Sequence, residues 1–171
     1  MLVRLIFNNR IKTVREIIRC SPKFVLYISK SSTLLNKKTI DTEDINQEDL
    51  WLLNDGHCMR NQVLNICRLK KESPDKQFKY NTGSVESLRR MVDMNKGVTI
   101  LPELAVTDFS PSQLDQTRSF KSPQPTREIS LVTHRNFLKQ RLIATLEQEI
   151  LKIIPAEMKS SKEKEIIEIY N

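Results

Sequence analysis

The run Phe24-Val-Leu-Tyr-Ile-Ser29 is continuous, apolar and rich in β-forming residues. Such a run is typical of a strand buried on both faces of a sheet. Three shorter runs of the same character follow along the chain: Leu50-Trp-Leu-Leu53, Val98-Thr-Ile-Leu101 and Ile129-Ser-Leu-Val132. A further, more polar strand is predicted at Gln77–Thr82, with Phe78 and Tyr80 on one face.

Helical patterns separate these runs. Helices are predicted over residues 57–70, from Gly83-Ser84 to Asn95-Lys-Gly97, and from Phe137 to Ile154 before Pro155. Alternating strands and helices predict an α/β layer fold around a mostly parallel sheet. In such folds ligands bind beyond the carboxyl ends of strands, which points to the segment that follows Leu50–Leu53.

The rest of the chain is less regular. Residues 108–127 are predicted to be a polar connection, and the charged residues 156–171 a frayed tail or a loosely held helix. Residues 1–21 give no clear pattern, although Val14, Ile17 and Ile18 have helical spacing.

Composition narrows the class of protein. The 171 residues suit one domain or slightly more, and 39% apolar with 29% charged residues indicates a soluble globular chain. Only three glycines argue against a glycine-rich phosphate loop, so no cofactor is predicted. The net charge of +7 is spread along the chain, which favours a solvated basic surface over a nucleic-acid site. No run is long enough to span a membrane, no CxxC pair suggests zinc, and a cytoplasmic location is predicted.

Cys58 is the first candidate for chemistry. It falls in the first turn of the predicted helix 57–70, where unpaired backbone N–H groups and the helix dipole favour a negative charge. His57 and Arg60 are close in sequence and would also stabilise a thiolate, the form that a peroxide oxidises to sulfenic acid. From the residues alone, Cys58 could equally be an incidental cap, and Cys20 has no partner signal.

Cys67 lies nine positions after Cys58. On one helix the two side chains would point to opposite faces and lie about 13 Å apart along the axis. A disulfide needs Cα atoms within about 7 Å, so the bond could form only if the helix unwinds. The alternative is that Cys67 is a small buried hydrophobic residue.

The stretch Leu50-Trp-Leu-Leu-Asn-Asp-Gly-His-Cys-Met-Arg-Asn-Gln-Val-Leu-Asn-Ile-Cys67 resembles the peroxide-sensing segment of the OxyR family of LysR-type transcriptional activators. The resemblance covers roughly residues 22 to 154. It continues through Ser84-Val-Glu-Ser-Leu-Arg-Arg-Met-Val92, Gly97-Val-Thr-Ile-Leu-Pro102, Leu104-Ala-Val106 and Thr126-Arg-Glu-Ile-Ser-Leu-Val132.

This resemblance implies a function and its residues. Cys58 would react with hydrogen peroxide, Cys67 would resolve it as a disulfide, and His57 and Arg60 would activate the thiol. It also implies a homodimer or tetramer, with glutaredoxin or thioredoxin as reductant. Promoter DNA and RNA polymerase would be partners only where a DNA-binding half is present.

The resemblance also implies a fold, and the chain departs from the family in two respects. The fold would be the Rossmann-like subdomain of a periplasmic-binding-protein type II (LysR substrate-binding) domain. Asn61 stands where the family often has Asp, and the DNA-binding half and the first half of the regulatory domain are not visible, so a truncated member is expected. The chain is expected to have four parts: a poorly matching segment (1–21), regulatory subdomain II (22–127), the returning strand and helix of subdomain I (128–155) and a charged tail (156–171).

Three alternatives remain open beside a non-enzymatic peroxide sensor. The first is a LysR-type effector domain that binds a small metabolite, with incidental cysteines. The second is a thiol peroxidase, although no thioredoxin-like pattern is visible. The third is a non-functional gene fragment whose last strand and helix, lacking a partner, would expose apolar surface.

Overall fold

The structure, a computed structural model, describes residues 3–4, 14–54, 57–68, 83–94, 96–134, 136–159 and 164–167. The strands of this part are β1 (Val3–Arg4), β2 (Val14–Cys20), β3 (Phe24–Ile28), β4 (Thr39–Ile40), β5 (Val98–Pro102), β6 (Thr117–Phe120), β7 (Gln124–Thr126), β8 (Ile129–His134) and β9 (Lys164–Ile166). The helices are α1 (Cys58–Ile66), α2 (Val85–Met94), α3 (Pro111–Leu114), α4 (Gln140–Ile153) and α5 (Ala156–Lys159). Short 3-10 helices lie at Thr33–Asn36, Thr42–Asp44, Gln47–Asp49 and Glu103–Val106.

A four-stranded sheet in the order β4-β6-β3-β5 forms the centre of the fold. The strand predicted at Phe24–Ser29 is confirmed as β3, and its residues Leu26 and Ile28 are fully buried. The prediction of a mostly parallel sheet is wrong, because β3 runs antiparallel to both β5 and β6. A continuous apolar run reports burial on both faces and carries no information about strand direction.

Two other sheet predictions need correction. The run Leu50–Leu53 contributes isolated bridge residues, Leu50 and Leu53, rather than a full strand, and Leu50 bridges in parallel to Val98. Strand β6 lies inside the predicted polar connection, next to β3. Its sequence Thr-Arg-Ser-Phe has only Phe120 buried, so the apolar pattern that identifies buried strands is missing.

The apolar core lies between the sheet and the helices α1 and α2. Helix α2 is confirmed close to its predicted limits, and it buries Leu88 and Val92 against the sheet. Helix α1 buries Met59, Val63 and Ile66 in the same core. Helix α1 ends at Ile66, four residues before the predicted end.

A second sheet has the order β1-β8-β2 and is antiparallel throughout. The helical spacing noted at Val14, Ile17 and Ile18 is misleading, because these residues form strand β2. The returning strand β8 pairs with β2 along its length, so the expectation of an unpaired last strand is wrong. Helix α4 is confirmed at Gln140–Ile153 and leaves Leu142 60% and Ile153 80% exposed.

The charged C-terminal region, expected to be a frayed tail or a loosely held helix, contains a short helix and a strand. Helix α5 anchors to β2's end, because Ser21 N–H donates to the Met158 carbonyl at 2.8 Å. Strand β9 pairs in parallel with β7. The predicted strand Gln77–Thr82 lies outside the described residues. Among the helices that the structure describes, none has the length and apolar character needed to cross a membrane.

Candidate functional site

The chain enters α1 from the edge of the central sheet. Beside the Leu50–Val98 bridge, Trp51 N–H donates to the Val98 carbonyl at 2.8 Å, and Thr99 Oγ1 donates to the Trp51 carbonyl at 3.0 Å. These bonds fix the segment at the β5 edge. The segment that follows Leu50–Leu53, where the sequence predicts a ligand site, therefore begins beside this edge of the sheet.

Cys58 is the first residue of α1 and is partly exposed. His57 is the N-cap residue, with extended backbone angles (φ −80°, ψ 122°), and its carbonyl accepts a hydrogen bond from Arg60 N–H at 2.9 Å. The sequence prediction that Cys58 begins a helix is confirmed. A position in the first turn of a helix generally suits an anion, because backbone N–H groups there lack partners within the helix and the helix dipole is positive.

Two buried polar atoms lie in the turn that precedes Cys58. His57 Nδ1 and Asn54 Oδ1 have no hydrogen-bond partner within the described part of the chain, and His57 N–H donates to the Asn54 carbonyl at 3.3 Å. A buried polar atom without a partner is costly. The segment that leads to Cys58 therefore holds two polar atoms whose burial is uncompensated within the described residues.

Arg60 is tied to the strand side of this turn. Its Nη1 donates to the Leu53 carbonyl at 2.9 Å, which links the first turn of α1 to the segment before it. The guanidinium is thereby held beside the N-terminal end of the helix that carries Cys58. The structure thus brings His57, Cys58 and Arg60 together in one turn, although their roles in thiol activation stay a prediction.

Cys67 lies immediately after α1 as its C-cap residue. Its N–H donates to the Val63 carbonyl at 3.0 Å, and the side chain packs against the central core. Burial raises the pKa of the Cys67 thiol from 9.0 to about 12. The next residue, Arg68, has a φ of 52°, the left-handed conformation that commonly ends a helix.

The two cysteines are separated by the whole of α1. Nine residues of helix lie from Cys58 to Ile66, which places the cysteine Cα atoms about 13 Å apart along the axis. That distance is well beyond the 7 Å or so that a disulfide tolerates. None of Cys58, Cys67 and Cys20 forms a disulfide, and Cys20 is buried in β2 with 6% of its surface exposed.

Gln62 makes a contact, outside the turn that holds Cys58, that the sequence did not predict. It lies on α1 between the two cysteines, is 1% exposed, and its Nε2 donates to the Ile167 carbonyl at 3.0 Å. A glutamine among apolar helix positions is the one sequence signal of this contact. Among the described residues, no cluster of His, Cys, Asp and Glu could hold a metal ion.

Comparisons with known proteins agree with this architecture. The family described as LysR substrate binding domain matches residues 14–152. The chain is 33% identical, over 64% of its length, to the hydrogen peroxide-inducible genes activator of Haemophilus influenzae, of which it covers 36%. It is 32% identical, over 63% of its length, to the DNA-binding transcriptional dual regulator OxyR of Escherichia coli, of which it covers 35%. The chain thus spans about a third of the length of these relatives.

A solved structure shows the same likeness. The crystal structure of reduced OxyR from Porphyromonas gingivalis superposes with a TM-score of 0.76 at 28% identity, covering 91% of this chain and 71% of that one. The family match begins at residue 14, so it includes strand β2. The division of the chain at residues 21, 127 and 155 stays a prediction. The chain belongs to the LysR substrate-binding domain family, with a mixed α/β fold that resembles the regulatory domains of OxyR.

Proposed function

We propose that this chain is a peroxide-sensing regulatory domain of a LysR-type transcriptional regulator, switched by a disulfide between Cys58 and Cys67. The observation that carries the proposal is the single helix α1, which holds one free cysteine at each end within an OxyR-like domain. The similarity to peroxide-inducible activators supports peroxide as the signal. A metabolite site with incidental cysteines has no comparable observation in its favour.

The chemistry proceeds in two steps. The Cys58 thiolate attacks one oxygen of hydrogen peroxide, forms a sulfenic acid and releases hydroxide, which takes up a proton to become water. The Cys67 thiolate then attacks the Cys58 sulfur, forms the disulfide and expels a second hydroxide. Overall, two thiols and one peroxide give one disulfide and two water molecules.

The second step requires a change of structure. Cys67 is partly buried against the core and lies about 13 Å along the helix axis from Cys58, so α1 must unwind before the sulfur atoms can meet. Because Met59, Val63 and Ile66 are buried along the same helix, unwinding removes them from their places in the core. Oxidation would therefore repack the face of the domain that carries α1, which is the output of the switch.

The experiment is a titration of the reduced chain with hydrogen peroxide, followed by peptide mapping of its thiols by mass spectrometry. We expect one Cys58–Cys67 disulfide per chain, trapped Cys58 sulfenic acid in Cys67→Ser, and no oxidation of Cys67 in Cys58→Ser. Cys20→Ser is the matched control and should behave as the unsubstituted chain. Two accessible thiols that form no such disulfide would refute the proposal.

The same titration separates the sensor from an enzyme. A sensor consumes one peroxide per chain and stops until it is reduced, whereas a thiol peroxidase turns over continuously with a thiol reductant. The proposal includes a homo-oligomer and reduction by glutaredoxin or thioredoxin. Promoter DNA and RNA polymerase enter it only where a DNA-binding half accompanies this domain.

A further inference from the structure

The C-terminal strand β9 is held from two sides by the buried residue Thr126. Strand β9 pairs in parallel with β7, and Ile167 N–H donates to the Thr126 carbonyl at 2.8 Å. Thr126 Oγ1 donates in turn to the Glu165 carbonyl at 3.0 Å, and Thr126 is 0% exposed. Residues 164–167 are therefore held in place by hydrogen bonds to Thr126 and by pairing with β7.

Gln62 connects the segment 164–167 to α1. Its Nε2 donates to the Ile167 carbonyl at 3.0 Å across 105 positions of sequence. Its Oε1 is buried and has no partner within the described part of the chain. Since the amide is 1% exposed, water cannot replace the Ile167 bond while α1 stays folded. The hydrogen bond to Ile167 thus offsets part of the free-energy cost of burying the Gln62 amide.

The contact lies on the part of α1 that must move. Gln62 is midway between Cys58 and Cys67, and both Cys67 and Ile167 pack against the same central core. A cavity of about 280 Å³ adjoins the C-terminal end of α1 and is lined by Asn65, Arg68 and Glu165 among others. The cavity leaves open space beside the end of α1, where the Gln62–Ile167 bond restrains the helix in addition to its buried apolar side chains.

We propose that Gln62 is a positioning residue of the cysteine switch: through Ile167 it holds α1 folded and thereby sets the rate at which Cys67 reaches oxidised Cys58. This inference rests on the proposed function. It acts on the second chemical step alone, because peroxide reaches Cys58 at the helix start without any unwinding. The reactants and products of both steps are those given above.

The test uses the full chain with Gln62→Met, which keeps the size of the side chain and removes its donor. We expect disulfide formation after a peroxide pulse, and alkylation of Cys67 in the reduced chain, to be roughly fivefold faster, the effect of one hydrogen bond on an opening equilibrium. Sulfenic acid formation at Cys58, measured with Cys67→Ser, should stay unchanged. Thr126→Val, which loosens β9 without touching α1, should act in the same direction.

Two matched controls separate this role from general destabilisation. Gln116→Met removes another buried bond, from Nε2 to the Ile28 carbonyl at 3.0 Å, and Thr107→Val removes a bond to the Leu104 carbonyl at 3.1 Å. Neither should change the disulfide rate. If the unsubstituted chain, Gln62→Met and Thr126→Val all form the disulfide at the same rate, this inference is overturned and the proposed function is not. Absence of any Cys58–Cys67 disulfide in the unsubstituted chain would overturn the proposed function and this inference with it.

Discussion

Raising the pH of the reduced protein from 8 to 10 should weaken its fold through Cys67. Burial raises the pKa of this thiol from 9.0 to about 12, so the unfolded chain loses the proton first. Between pH 9 and pH 12 the native state binds more protons than the unfolded state, and the free energy of unfolding falls as pH rises. With these two pKa values, the loss from Cys67 between pH 8 and pH 10 is about 1.4 kcal/mol, about half of the limit of about 2.7 kcal/mol that one group can reach over two pH units.

The measurement is urea unfolding under a reductant at pH 8, 9 and 10, compared with Cys67→Ala. The substitution shifts stability at every pH, because it removes a packed sulfur atom, so the quantity to compare is the change with pH. Other groups titrate equally in both proteins, including Tyr27, whose pKa burial raises to about 12. The stability advantage of the unsubstituted chain should therefore shrink by about 1.4 kcal/mol over this range. Parallel pH profiles would refute the assignment of a buried, neutral thiol.

Three further substitutions test the framework around the switch. Gly97→Ala should lower the free energy of unfolding by about 3 kcal/mol in urea, because φ is +114° and the new Cβ would lie 2.4 Å from the Asp49 carbonyl oxygen; a loss below about 1 kcal/mol would contradict this. Tyr27→Phe removes the hydroxyl that donates to Asp93 and should cost about 1–2 kcal/mol by thermal unfolding, whereas an unchanged melting temperature would argue against that bond. Arg68→Gly should raise the free energy of unfolding by about 0.5–1 kcal/mol, because glycine adopts the left-handed φ of 52° at the end of α1 without strain. The more stable helix end should slow disulfide formation, and faster disulfide formation would contradict this.

The sequence identified buried strands better than it identified their arrangement. Strand β3 was predicted because its apolar run is uninterrupted, yet its antiparallel direction depends on contacts far away in the chain. Strand β6 was missed because Arg118 makes it look solvent-exposed. In the structure the Arg118 guanidinium donates to the carbonyls of Leu35 at 2.6 Å and Lys37 at 2.7 Å, so a charged residue fits between strands. A pattern of hydrophobicity cannot anticipate bonds of this kind.

The candidate site divides in the same way. The start of α1 at Cys58 follows from local signals and is confirmed, and so is the helical separation of Cys58 from Cys67. Strand β9 was not predictable, because its charged sequence pairs through backbone groups that every sequence possesses. The bond from Gln62 to Ile167 depends on that pairing, and a contact across 105 positions leaves no periodic trace in the sequence.

The partial burial of Cys67 and its distance from Cys58 both require α1 to unwind before the disulfide can form. With a pKa of about 12, roughly one Cys67 in 10⁵ is a thiolate at pH 7 while α1 is folded, against about one in a hundred at a pKa of 9.0. The folded helix therefore withholds the resolving thiol in two ways, by ionisation and by a separation of about 13 Å. One event, the unwinding of α1, removes both obstacles together. The rate of disulfide formation should consequently follow the opening of α1 and the contacts that restrain it, the Gln62–Ile167 bond among them, rather than the concentration of thiolate in the folded domain.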